Sequence, residues 1–125
     1  MLYQKGNRMS DRIQIKRDLE IRIIKGEFPE STAILSVTEL SAEYQISPTT
    51  AVKIYEDMKN DGTLSAQRGS AHYVTEGCKE RLEKEHLNLF RQSLYSCKEY
   101  ADKLGLDFAS EVENLLANLP DKQNQ

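Results

Sequence analysis

The sequence predicts a mainly α fold with one small β-hairpin, and three features carry that prediction. Ser36 and Ser47 each open an apolar stripe of helical period. Residues 63–76 hold two short Thr-, Val- and Tyr-bearing segments around a glycine. From Glu76 onward the apolar residues recur at gaps of three and four. The first two features belong together as a compact head, and the third reads as an appended pair of helices.

The elements follow in order. Residues 1–9 read as a loosely docked arm with a slight positive charge from Lys5 and Arg8. Ser10 is a good N-cap with Asp11 in the first turn, so a first helix runs from there to Lys25. Ile15, Leu19, Arg22 and Ile23 share one of its faces, and Ile24 adds to the buried side. Gly26 ends it. The turn over 26–32 leads into a single minor strand at Ala33–Leu35.

Ser36 then begins a capping box with Glu39, and Val37, Leu40, Ser41 and Tyr44 lie along one face of a short second helix. Ser47 caps a third helix with Pro48 at its first position, where a missing amide costs nothing. Ala51, Ile54, Tyr55 and Met58 recur behind it, and Gly62 supplies a left-handed terminus. Thr63–Gln67 and His72–Glu76 suit two strands with Gly69 at the tip. Helix, minor strand, two helices and hairpin make a winged helix-turn-helix over residues 10–76.

A long helix follows, from Glu76 to about Leu104, stopped by Gly105. Leu87, Phe90, Leu94, Cys97, Ala101 and Leu104 make a heptad seam along it. Asp107 caps a last helix with Phe108, Val112, Leu115, Leu116 and Leu119 on one face, closed by Pro120. Residues 121–125 are a polar tail. Neither helix buries its stripe alone, so the seam packs on the first helix or on a partner; a homodimer fits best, with 77–119 as its dimerisation segment.

Composition narrows the function. The chain has 125 residues, 38% hydrophobic and 30% charged, with a net charge of −3. No apolar run approaches the roughly 20 residues that span a membrane, and the N-terminus lacks an apolar signal region, so a cytoplasmic location is expected. Cys78 and Cys97 match no metal spacing and read as free thiols. His72 and His86 stand far apart, with no carboxylate or cysteine partner pattern. No paired catalytic constellation and no cofactor motif is present, so an enzyme is the least supported class. The acidic total argues mildly against nucleic acid, although only the surface facing phosphate needs to be positive.

A helix-turn-helix places the start of its second helix in the major groove. Ser47, Pro48, Thr49 and Thr50 sit at that start, and Lys53 lies one turn on. These residues either contact phosphates and base edges or form a capped, solvated helix start. Arg68, Ser70 and His72 belong to the hairpin, where they either touch the backbone or groove or are ordinary surface residues. Tyr55 reads as core.

Several segments together resemble the GntR-family winged-helix regulators of the short YtrA type. They are Lys25-Gly26-Glu27-Phe28, Ile34 through Leu40, Ile46-Ser47-Pro48-Thr49-Thr50, Tyr55, Met58, Gly62 and Arg68-Gly69. The stretch from Ala101 to Leu106, with the acidic amphipathic helix after it, resembles that subfamily's dimerisation segment. The resemblance covers roughly 10–117 and implies a homodimeric regulator that binds a double-stranded DNA operator. Repression of an operon is implied with it, and short regulators of this type often control neighbouring transporter genes. Such regulators usually carry an arginine where Thr38 stands, a Gly-basic-Gly wing where Gly69-Ser70-Ala71 stands, and a Pro-Gly turn where Pro29-Glu30-Ser31 stands. Thr38 is therefore a DNA contact by position only. A small-molecule effector, if one exists, belongs between the dimer's helices, since the residues after 76 are too few for a separate ligand domain. The thinned basic contacts keep a second reading open: a winged-helix protein-interaction module that has lost DNA binding.

Overall fold

The structure, a computed structural model, describes residues 10–66, 69 and 71–120. The arm at 1–9, the tail at 121–125, and Gln67, Arg68 and Ser70 lie outside them. The elements are α1 (Asp11–Ile24), α2 (Val37–Tyr44), α3 (Pro48–Asn60), β1 (Leu64–Ala66), β2 (His72–Val74), α4 (Cys78–Leu104) and α5 (Phe108–Ala117). The expected mainly α fold with a small hairpin is what forms. The chain divides into two compact units, the first ending at His86 and the second beginning at Leu87.

Local chemistry sets the helix ends of the first unit. Ser10 accepts from the Ile13 amide and opens α1. At α2 the Ser36 hydroxyl accepts from the Glu39 amide at 3.0 Å while the Glu39 carboxylate accepts from the Ser36 amide at 2.8 Å. Those bonds, the backbone amide foremost, hold the Glu39 carboxyl below its usual range. Ser47 does the same service at α3 by accepting from the Thr50 amide, with Pro48 in the first turn. The turn between α2 and α3 places Gln45 at φ 54, in the left-handed region where a Cβ crowds the backbone. Replacing Gln45 with glycine is expected to raise stability by about 0.5–1 kcal/mol, read as a higher denaturant midpoint at unchanged slope. A lower midpoint would show that the glutamine side chain is needed there.

Ile15, Leu19 and Ile23 from α1, Leu40 and Tyr44 from α2, and Ala51, Ile54, Tyr55 and Met58 from α3 close one core. Leu64, Val74, Cys78 and Leu82 complete it, so the first turns of α4 belong to this core. The buried thiol of Cys78 is pushed up by desolvation and, less, by Glu30. The expected strand at Ala33–Leu35 is instead a single bridge, Ala33 to Tyr73. Its neighbours still tie the segment to β2, through Ile34 N–H to the His72 carbonyl and Val74 N–H to the Thr32 carbonyl, both 2.9 Å. Ile34 is buried and Ser36 must already turn into its cap, which leaves too few extended residues for a strand. The hairpin strands are also shorter than expected, at three residues each, paired antiparallel with Ser65 opposite Tyr73.

Two polar networks brace this core. Arg22 donates to Glu27 (2.9 Å), Glu43 (2.9 Å) and the Tyr44 hydroxyl (3.0 Å), and its guanidinium lies 4.8 Å from the centroid of the Phe28 ring. The Tyr44 hydroxyl in turn donates to Asp18. Burial, with the Asp18 bond, pushes the Tyr44 phenol well above its ordinary range. The second network is unexpected: His86, read from sequence as lacking a carboxylate partner, has its Nε2 2.9 Å from Glu20 Oε1, with both side chains largely buried.

The Pro29-Glu30-Ser31 turn has a role of its own. Glu30 accepts from the Lys79 amide at 3.0 Å, capping the start of α4 from a distant loop. Ser31 takes φ 66, the left-handed conformation that glycine adopts at least cost.

The second unit is built from the rest of α4 and from α5. Gly105 (φ 72) ends α4, and Asp107 caps α5 by accepting from the Ser110 amide and hydroxyl. Those bonds, the hydroxyl's first, hold the Asp107 carboxyl below its usual range. Among its described apolar residues only Ala101 is buried.

Candidate nucleic-acid interface

The buried stripe of α3 fixes which of its residues face outward. With Ala51, Ile54, Tyr55 and Met58 inward, a 100° step per residue puts Thr49, Lys53, Glu56 and Asn60 on the opposite side, with Val52 beside them. All five are exposed. Tyr55 fixes this helix from behind: it is fully buried, and its hydroxyl donates to the Leu35 carbonyl at 2.6 Å. Burial pushes its phenol far above the ordinary range, so it stays a hydrogen-bond donor.

The expected contact residues fall into three groups. Thr49 and Lys53 are exposed on the outward face of α3, and Thr38 is exposed in the first turn of α2. Ser47 and Thr50 are partly engaged in capping, with their hydroxyls 2.9 Å apart; Pro48 sits exposed between them and Thr49. Arg68 and Ser70 lie outside the described residues. His72 is half-buried on β2 with its ring centroid 4.9 Å from that of Tyr55. Burial, and the charge of Lys59 after it, lower its pKa, so at neutral pH the ring brings a hydrogen-bonding group and no charge.

Two features of this surface were not read from the sequence. Arg12 makes two bonds to Asp57, at 2.5 and 2.6 Å, and Lys16 pairs with Asp61, so these α1 cations are tied to carboxylates of α3 and of its C-cap. The Asp57 bond raises the Arg12 guanidinium and lowers the Asp57 carboxyl. The other is that Val52 and Glu56 share the outward face with Thr49 and Lys53; completing the helical wheel opposite the buried stripe would have found them.

On the second unit, Leu87, Phe90, Leu94, Cys97, Leu104 and Leu115 are exposed, and Phe108 and Val112 half-buried. Phe90 at 59% and Leu115 at 61% are far more open than core residues of their type. Leu94 and Phe108 line a cleft of about 320 Å³ with Arg91, Tyr95 and Lys98.

A helical head whose third helix is pinned by a central tyrosine, followed by a two-stranded hairpin, is a winged helix-turn-helix. Solved structures share it over most of the chain. A GntR family transcriptional regulator from Listeria monocytogenes superposes with a TM-score of 0.73 at 21% identity, covering 94% of this chain and 100% of that one. YtrA from Sulfolobus acidocaldarius, a GntR-family transcription factor, gives 0.56 at 15%, covering 95% and 98%. S. agalactiae BusR, solved in complex with its busAB-promoter DNA, gives 0.54 at 17%, covering 91% of this chain and 60% of that one. No protein-family model matches the sequence. No curated protein sequence matches it either. Two of these neighbours are GntR-family transcription regulators, and at these identities what all three share with this chain is the fold. Among the described residues, no helix is long and apolar enough to cross a membrane.

Proposed function

We propose that this chain is a GntR-type, sequence-specific DNA-binding transcriptional regulator that acts as a homodimer, with 10–76 as the DNA-binding domain and 77–119 as the dimerisation segment. The observation that carries the reading is the outward face of α3, where Thr49 and Lys53 stand opposite a fully buried stripe on a helix capped by Ser47. Several neighbours of the same fold are transcription regulators, and one was solved on promoter DNA. In this reading the start of α3 enters the major groove, Ser47, Thr49 and Thr50 bond phosphates or base edges, and Lys53 contacts a phosphate or guanine. Thr38, Arg68, Ser70 and His72 are the further DNA contacts of this reading.

The exposed seam from Leu87 to Leu104, with Phe108, Val112 and Leu115, supplies the dimer face, because an apolar surface of this kind marks an interface. A dimer sets two α3 helices on half-sites about 34 Å apart. Occlusion of a promoter then gives repression. A small-molecule effector would sit between the dimer's helices, where the cleft beside Leu94 and Phe108 provides apolar walls and two cations.

The test is a salt-titrated binding assay on DNA upstream of the protein's own gene against random duplex. Preference for the upstream DNA supports the reading, and equal affinity for both overturns it. Lys53→Ala is expected to weaken binding and to reduce the salt slope by about one per protomer. An unchanged slope removes Lys53 from the phosphate contacts.

One observation favours a second reading, a winged-helix protein-interaction module without DNA binding. Arg12 and Lys16 are neutralised by Asp57 and Asp61, and Glu56 adds negative charge to the outward face of α3. Absence of any DNA affinity at low salt, with a folded dimer, is the outcome that selects it.

A further inference from the structure

The outward face of α3 carries two residues whose chemistry suits the floor of a groove and not a phosphate. Val52 is 41% exposed on a helix that already buries four apolar side chains, and its β-branched side chain loses rotamer freedom there. Glu56, one turn further along, is an exposed carboxylate. A carboxylate against the DNA backbone is repelled, and a valine there makes no hydrogen bond to phosphate. In the DNA-binding reading, the outward face that holds both therefore looks into the groove. Thr49, Lys53 and Asn60, on the same outward face, carry the donors that can reach phosphate.

Resting on the DNA-binding reading above, we infer that Val52 and Glu56 are the specificity-determining pair of α3. Val52 packs on the C5-methyl of a thymine, and Glu56 accepts from the N4 amino group of a nearby cytosine. In the major groove only thymine offers a methyl group, and cytosine N4 is the donor that suits a carboxylate. Each half-site thus contains a thymine and a cytosine within one turn of α3 of each other. The charge of Glu56 then rejects the acceptor edge of guanine as well as selecting cytosine.

The experiment first enriches a duplex from a randomised library with the intact protein. Each thymine of the enriched half-site is then replaced singly by deoxyuridine, which deletes the methyl group and leaves the protein untouched. One position is expected to weaken binding about fourfold, the effect of removing one buried methyl-sized group. Val52→Ala should abolish that sensitivity, while circular dichroism reports an intact fold. Glu56→Gln should move the preference at its position from cytosine to adenine, since an amide pairs with adenine N6 and N7. A half-site with no methyl-sensitive thymine overturns the inference, as does one whose sensitivity survives Val52→Ala or a base preference indifferent to Glu56→Gln. In each of those cases the DNA-binding reading still stands. Failure to enrich any sequence overturns both.

Discussion

Replacing Tyr55 with alanine is expected to cost about 3–5 kcal/mol of stability, a large share of what a small domain has. The ring is fully buried in the core of the first unit, as part of the stripe of α3, with the His72 ring of β2 against it. Its removal leaves a cavity among closely packed neighbours, and the Leu35 carbonyl loses the donor it accepts from at 2.6 Å. Tyr55→Phe separates the two effects: it keeps the volume, deletes only the hydroxyl, and should cost about 1 kcal/mol. Urea melts of the three proteins measure both. An alanine variant within 1 kcal/mol of the parent would mean that the core collapses around the gap and that Tyr55 does not hold α3 in place. With the expected loss, DNA affinity should fall in the alanine variant and stay near the parent's in Tyr55→Phe.

Why Tyr55 could be read from sequence, and other groups could not, follows from the range of the interactions. The stripes of α1, α2 and α3 and the caps at Ser10, Ser36, Ser47 and Asp107 are local and form as expected, whereas α5 ends at Ala117, short of the Leu119 expected on its stripe. The glycine stops at Gly26, Gly62 and Gly105 take positive φ for the same local reason. The partners that differ are distant in sequence. Glu30 caps α4 across 49 residues, and Glu20 meets His86 across 66. Neither separation carries a periodic signal, because side chains that meet only after folding leave no spacing rule in the chain. The Ala33–Leu35 segment failed as a strand for a related reason. Extended backbone was read from residue type, while the length of the ladder is decided by the Ser36 cap that cuts it short.

The candidate interface divides along the same line. That α3 turns Thr49 and Lys53 outward follows from its own period. That Arg12 and Lys16 are bound to Asp57 and Asp61 is a tertiary fact, and it changes the electrostatics of the reader surface. With those two α1 cations paired, Lys53 carries more of the attraction that α3 can offer to phosphate. This makes the net charge of −3 less informative than the charge that remains unpaired beside α3.

The largest effect on function is expected from Leu94→Glu. Leu94 is an exposed seam residue of α4, flanked one turn on each side by Phe90 and Cys97, which are exposed as well. In the single chain a carboxylate at this position remains solvated, so the fold and its melting should hardly change. In a dimer the same carboxylate would be buried against its symmetry mate on an apolar seam, which a charge without a partner does not tolerate. The variant is therefore expected to sediment as a monomer. Losing the dimer removes the second half-site contact, and with it an avidity of about 10²–10⁴ in operator affinity. Non-specific binding, which depends on the phosphate contacts of each head, should fall much less. Analytical ultracentrifugation and operator titration of the same sample read both quantities. A Leu94→Glu protein that stays dimeric would move the interface off the α4 seam. One that becomes monomeric with unchanged operator affinity would show that a single winged helix suffices for recognition.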